Sequence, residues 1–206
     1  MFITFEGTEG SGKSLQARLL AERLRAAGRV VLETREPGGT LLGLELRHIL
    51  LERKELELTP RAEALLMNAS RAQLVEKVIR PAIERGEIVV CDRFADSTLA
   101  YQGAGRGLGM HQLAPVLAFA TDGLRPDLTL LLDVPVEVGL ARKRAQDQGN
   151  RFEAEALAFH ARVRAAYRTL AAAEPDRWRC LEGVADVDHL ADEIWDAVAG
   201  RMGMRV

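Results

Sequence analysis

The chain is poor in the residues that build a crosslinked or metal-held scaffold. Its 206 residues include two cysteines, Cys91 and Cys180, in the apolar contexts VVCDR and WRCLE, where a cysteine serves as a small hydrophobe. Two such residues exclude a disulfide framework and a cysteine metal cluster. The four histidines, at 48, 111, 160 and 189, all fall on helix-like stretches with no metal spacing between them, and they read as surface or packing residues. No apolar run reaches membrane-spanning length, and the N-terminal one is too short for a secretory leader and lacks a basic flank. A cytoplasmic protein with no membrane partner is expected. An excess of one charge is missing too: 28 basic side chains face 30 acidic ones, so nothing global calls for nucleic acid. Lysine occurs only at 13, 54, 77 and 143, which leaves arginine, whose planar fork suits phosphate, to do most anion recognition. With no repeats, low-complexity segments or linkers, residues 1–206 are expected to form a single domain.

What is present is organised around the N-terminus. An apolar run through Ile3 and Phe5 suits a buried strand and stops at Gly7, after which a small, polar, glycine-rich stretch leads into a helix. Gly7, Gly12, Lys13 and Ser14 fit G-x-x-x-x-G-K-[ST] in the strand–loop–helix context that this phosphate-binding pattern requires. Over Gly7, Thr8, Glu9, Gly10, Ser11, Gly12, Lys13 and Ser14, glycines allow backbone N–H groups to turn inward on a phosphate chain, and the helix N-terminus adds partial positive charge. Lys13 would reach the β- and γ-phosphates of a nucleotide, and the Ser14 hydroxyl would ligate Mg²⁺.

The remaining chain alternates strand and helix patterns. Leucines at 15, 19, 20 and 24 mark a helix from Lys13 to Ala27, closed by Gly28. Val30 to Leu32 read as a second buried strand emptying into the turn TREPGGT, where Arg35 and Glu36 stand either at a ligand crevice or on a solvated loop. A short helix follows through Leu44, Leu46, Ile49 and Leu50. Thr59-Pro60 then opens a long helix carrying Met67 and Arg71 on one face, kinked or restarted at Pro81. Ile88 to Cys91 form a third strand ending in Asp92-Arg93; a carboxylate there suits a second Mg²⁺-site element, or else caps the next segment. The polar, aromatic stretch at 95–103 suits a small-molecule pocket. A helix from about His111 to Thr121, a fourth strand from Leu128 ending at Asp133, and a helix opened by Pro135 come next. The basic run at 142–151 is either a mobile lid closing on phosphates or a solvated face. A helix from about Glu153 to Ala173 is expected to bury Leu157, Val163 and Leu170. Arg179 to Leu181 make a fifth strand, and Val187 to Val198 a closing helix.

Taken together, GTEGSGKS, REPGGT, the DR-F-x-x-S-x-x-AYQG block and the basic run closely resemble bacterial thymidylate kinases, over nearly the whole chain. The resemblance implies an α/β fold with a five-stranded parallel sheet flanked by helices, of P-loop nucleoside-monophosphate kinase type with a short lid. It also implies a homodimer and transfer of the ATP γ-phosphoryl group to dTMP with Mg²⁺. Site roles come from it as well. Arg71 resembles the family's pyrimidine-contacting arginine, Arg93 its acceptor-phosphate ligand, and Arg47 a further base-side or phosphate-side contact. Glu36 and Gln102, with Thr98 in the same block, look like pocket residues. Tyr101 resembles the ring that leaves no room for a ribose 2′-OH, and Glu9 the acid near sugar and metal. The catalytic arginine is expected from Arg142, Arg144 or Arg151, and Ser14 and Asp92 are the metal-site pair. The family commonly stacks an aromatic ring on thymine where this chain has Met67, whose thioether can also lie flat against a ring.

Overall fold

The computed structural model describes residues 1–145, 151–152 and 155–203. Five parallel strands form one sheet: β1 (Phe2–Glu6), β2 (Val31–Arg35), β3 (Ile88–Asp92), β4 (Leu128–Asp133) and β5 (Trp178–Glu182), in the order β2-β3-β1-β4-β5. The central strands β1, β3 and β4 are largely apolar within, and all five end on a charged residue. Because all five run the same way, Glu6, Arg35, Asp92, Asp133 and Glu182 gather along one edge, the carboxyl edge at which open α/β sheets bind ligands.

The period of two sorts the central strands. Ile3, Phe5, Ile88, Val90, Leu128, Leu130 and Leu132 face the helices α1 (Lys13–Ala26) and α9 (Val187–Met202), packing on Leu20, Leu24, Leu190, Ile194 and Val198. On the opposite face Phe2, Val89 and Cys91 meet α3 (Pro60–Leu74), its looser i→i+5 continuation Val75–Ile79 and α4 (Arg80–Glu84), while Leu131 and Trp178 meet α8 (Leu157–Ala173). Glu6 shares parity with Phe2 and is therefore directed beneath α8 and the turn after β3. Two further helices, α2 (Leu41–Arg47) and α6 (Met110–Thr121), adjoin α3. The remaining two, α5 (Ala95–Thr98) and α7 (Val136–Arg144), leave the carboxyl edge after β3 and β4.

Several local signals act as the sequence suggests. Thr59 Oγ1 caps α3 by accepting from Ala62 N–H, and Pro60 and Pro81 each sit in a first helical turn. Other expectations need correction. Val30 lies outside β2 and is 68% exposed, because β2 is an edge strand covered on one side only. Leu157 is 54% exposed at the start of α8, and Cys180 is exposed on the other edge strand, so neither packs in the core. The part of the basic run at 146–150 and the helix start expected at 153 lie outside the described residues.

Candidate active site

A cleft of about 890 Å³ opens at the carboxyl edge, within the usual size of a small-molecule site. One wall is the loop between β1 and α1. Gly7, Gly10 and Gly12 take φ of 143°, 67° and 89°, and among the described residues no side chain caps α1, so its first-turn N–H groups are open to an anion. The loop rests on α7 backbone to backbone. A Cβ on Gly10 would fall 1.9 Å from the Gly139 carbonyl oxygen, and one on Gly139 would fall 2.3 Å from that of Glu9. Lys13 folds back on the loop, donating to Thr8 O at 2.6 Å and Ser11 Oγ at 3.0 Å. Burial, with Arg93 nearby, lowers its pKa to about 7. The β1–β3 pairing brings Asp92 beside α1, where Ser14 Oγ donates to Asp92 Oδ2 while Oδ1 has no hydrogen-bond partner among the described residues.

The other wall is made of side chains paired across long sequence separations. Arg71, 2% exposed, uses every N–H: Nε and Nη2 on Glu36 Oε2, Nη1 on Asn68 Oδ1 and Thr98 Oγ1, and Nη2 on the Phe94 carbonyl. Glu36 Oε1 is left buried without a hydrogen-bond partner among the described residues, and burial raises this carboxyl despite Arg71. Arg93 adopts a left-handed φ of 73°. Its guanidinium spans Gly7 O, Ser97 Oγ, Tyr167 Oη, Glu9 Oε1 and Tyr101 Oη at 3.0–3.3 Å and lies over the Tyr101 ring. Tyr101 donates to both Glu9 oxygens at 2.7 and 2.8 Å. Burial alone would push Glu9 up, but His160, Arg93, Lys13 and Tyr101 outweigh it and hold the carboxylate at about 2. Gln102 Nε2 donates to Glu63 Oε1, which also accepts from Arg106. Met67 is half-buried in the cleft lining, and Arg47 Nη1 donates to Pro37 O.

The structure thus gathers Glu9 to Ser14, Glu36, Arg47, Met67, Arg71, Asp92, Arg93, Thr98, Tyr101 and Gln102 around one cavity. The three basic-run candidates separate. Arg142, exposed in the last turn of α7, lines the cleft and donates to Gly183 O, while Arg144 is exposed and does not line it. Arg151 is bonded to the carbonyls of Arg53 and Leu56. Glu6, Glu63, Asn68, His160 and Tyr167 were not legible as site residues. Of the four histidines read as surface or packing residues, His160 is buried, as the packing alternative has it, and what that reading does not contain is its approach to Glu9, Nδ1 to Oε2 at 3.4 Å. Its one sequence signal was helical spacing from Val163 and Tyr167, which aims it at the same face of the sheet.

A phosphate-binding loop at the head of the central strand, facing a second cationic pocket across one cleft, defines a P-loop nucleotide kinase. The family model described as thymidylate kinase matches residues 5–194. A thymidylate kinase from Thermomicrobium roseum is 55% identical over 198 residues, covering 96% of this chain and 93% of that protein. One from Deinococcus radiodurans is 52% identical over 201 residues, covering 98% and 97%. The crystal structure of thymidylate kinase from Ehrlichia chaffeensis superposes with a TM-score of 0.78 at 34% identity, covering 96% of this chain and 97% of that one. The chain belongs to the thymidylate kinase family.

Proposed function

We propose that the chain transfers the γ-phosphoryl group of ATP to dTMP, giving dTDP and ADP. The observation that carries this reading is the pairing of two differently built anion sites, the Gly7–Ser14 loop and the Arg93 pocket, in a single cleft. An oxygen of the dTMP phosphate forms the new bond to the γ-phosphorus while the bond to the β,γ-bridging oxygen breaks and ADP leaves. The attacking phosphate is already largely ionised at neutral pH, so no general base is needed, and positioning and charge stabilisation carry the catalysis. Lys13 and the loop N–H groups hold the donor phosphates and Arg93 the acceptor phosphate. Arg142, of the three basic-run candidates, is best placed to meet the transferred group.

The Ser14 hydroxyl and Asp92 Oδ1, which has no hydrogen-bond partner among the described residues, are hard oxygen donors side by side, which fits Mg²⁺. Bound there with the donor phosphates, Mg²⁺ would neutralise charge on their oxygens. Arg71, Thr98, Met67 and Gln102 frame the base end of the acceptor, Glu36 and Arg47 lie beside it, and Tyr101, pinned by Glu9, excludes a ribose 2′-OH. We further propose that residues 1–206 act as one domain, in the cytoplasm. Exposed Leu44, Leu65 and Phe119 on the adjoining helices α2, α3 and α6 support a homodimer. Among the described residues no helix is long and apolar enough to cross a membrane.

The test is ADP release coupled to a spectroscopic readout, with ATP and Mg²⁺ and with dTMP, dUMP, UMP or no acceptor. Release should require an acceptor. dTMP should exceed dUMP by a modest factor, since one methyl contact discriminates by about 1–3 kcal/mol, and should exceed UMP by more. Acceptor-independent release, or UMP as the best acceptor, overturns the reading.

A further inference from the structure

Glu6 ends β1 one residue before the phosphate-binding loop, fully buried and outside the cleft lining. Its Oε1 accepts from Phe94 N–H at 2.8 Å. Its Oε2, Ser97 Oγ and Tyr167 Oη form a triangle with edges of 2.6, 2.8 and 2.8 Å. Oxygens this close need a proton on each edge, because two lone pairs facing one another at that distance repel. Serine and tyrosine supply one each. Arg93 Nη1 approaches both hydroxyls at 3.2 Å from outside the triangle, so its protons do not lie on those edges. The third proton belongs to the carboxyl group, whose carbonyl oxygen is then the one taking the backbone N–H.

We infer that Glu6 is protonated in the folded protein and closes a three-proton ring with Ser97 and Tyr167, and that this ring orients Arg93 without offsetting its charge. Each ring hydroxyl donates once, accepts once and keeps a lone pair for the guanidinium. Ionised Glu9 is already the counter-ion of Arg93 at 3.3 Å, and a second carboxylate charge would weaken the attraction of Arg93 for a phosphate dianion. The groups facing Glu6 are Asp96 on α5, Arg93 and Cys91 from the β3 end, Tyr167 on α8 and Lys13 on α1. Burial and then Asp96 push the Glu6 carboxyl up to about 7, against Arg93 and the two hydroxyls. Glu6 is a positioning residue. Its value to catalysis rests on Arg93 binding the acceptor phosphate, whereas its protonation does not.

The sign of the pH effect follows from linkage. A carboxyl raised from 4.5 to about 7 gives stability that is present below 4.5 and lost as pH rises through 7. ¹³C NMR of the protein labelled at glutamate carboxyl carbons should show one carboxyl titrating near 7, absent in Glu6→Gln. Glu6→Gln, neutral and of the same shape, should keep kcat and the KM for dTMP within about threefold, whereas Glu6→Ala should raise that KM by about tenfold or more and leave the KM for ATP unchanged. Glu6→Gln should also gain stability relative to the parent between pH 4.5 and 7. A Glu6 carboxyl titrating at or below 4.5, or a folded Glu6→Gln that loses dTMP turnover as badly as Glu6→Ala, overturns the inference. Should Glu6→Gln fail to fold, the parent titration decides, with Glu6 assigned by the shift that Tyr167→Phe imposes on it. An Arg93→Met variant with an unchanged KM for dTMP would instead sink the role of Arg93 and leave the titration standing.

Discussion

On the proposed donor side of the cleft most of the groups come from one contiguous stretch, the backbone N–H groups of Gly7 to Ser14 with the side chains of Lys13 and Ser14. On the proposed acceptor side the polar side chains Arg71, Arg93 and Gln102 are each paired with another side chain, Glu36, Glu9 and Glu63, at separations of 35, 84 and 39 residues. A backbone site asks only for glycines and a helix start, so it is local and can be altered without disturbing the rest. A site of buried charge pairs belongs to the fold itself, because removing one partner strands the other away from water. Variants on the two sides should therefore differ in kind, in activity alone on one and in stability together with activity on the other.

The sharpest test of that difference is Arg71→Met. It leaves Glu36, Asn68 and Thr98 without their donor and should destabilise the protein by about 3–5 kcal/mol in urea unfolding as well as raising the KM for dTMP. Next, Lys13→Ala should lower kcat by about 10²–10³-fold, in line with the loss of one donor to a developing charge, with no loss of thermal stability. Unfolding at a clearly lower temperature would show the donor loop to be structural after all. Smaller is Gly139→Ala, whose Cβ would press on the Glu9 carbonyl and displace the loop; kcat should fall by about 10²-fold and the KM for ATP should rise, with the KM for dTMP little changed. Smallest is Met67→Phe, which adds a ring to the acceptor side without touching an ion pair. It should tighten dTMP binding by about 0.5–1.5 kcal/mol in calorimetry and leave stability alone.

The same contrast explains what could be read from the chain. The strands β1, β3 and β4 are continuous apolar runs because helices cover both their faces, and the loop between β1 and α1 is a contiguous motif, so both were legible. The edge strands were harder. Val30 and Cys180 look like core residues by neighbourhood, but one side of each edge strand has no cover. On the acceptor side Arg71, Arg93 and Tyr101 drew their roles from resemblance to a family rather than from spacing. Their partners Glu6, Glu63, Asn68 and His160 were out of reach, since nothing local says that residue 9 will meet residue 160. That contact is a product of strand order and of the parity of β1.

The two glycines that join the loop to α7 also set a mechanical limit. Arg142 stands three residues beyond Gly139, a rise of about 4.5 Å along the helix, and Gly139 is pressed against the Glu9 carbonyl. A lever arm that short, with its base packed against the Gly7–Ser14 loop, leaves little room for a swing of the helix. For Arg142 to act as proposed, its own side-chain torsions must exchange the Gly183 carbonyl for a phosphate oxygen, a motion of picoseconds to nanoseconds for an exposed side chain.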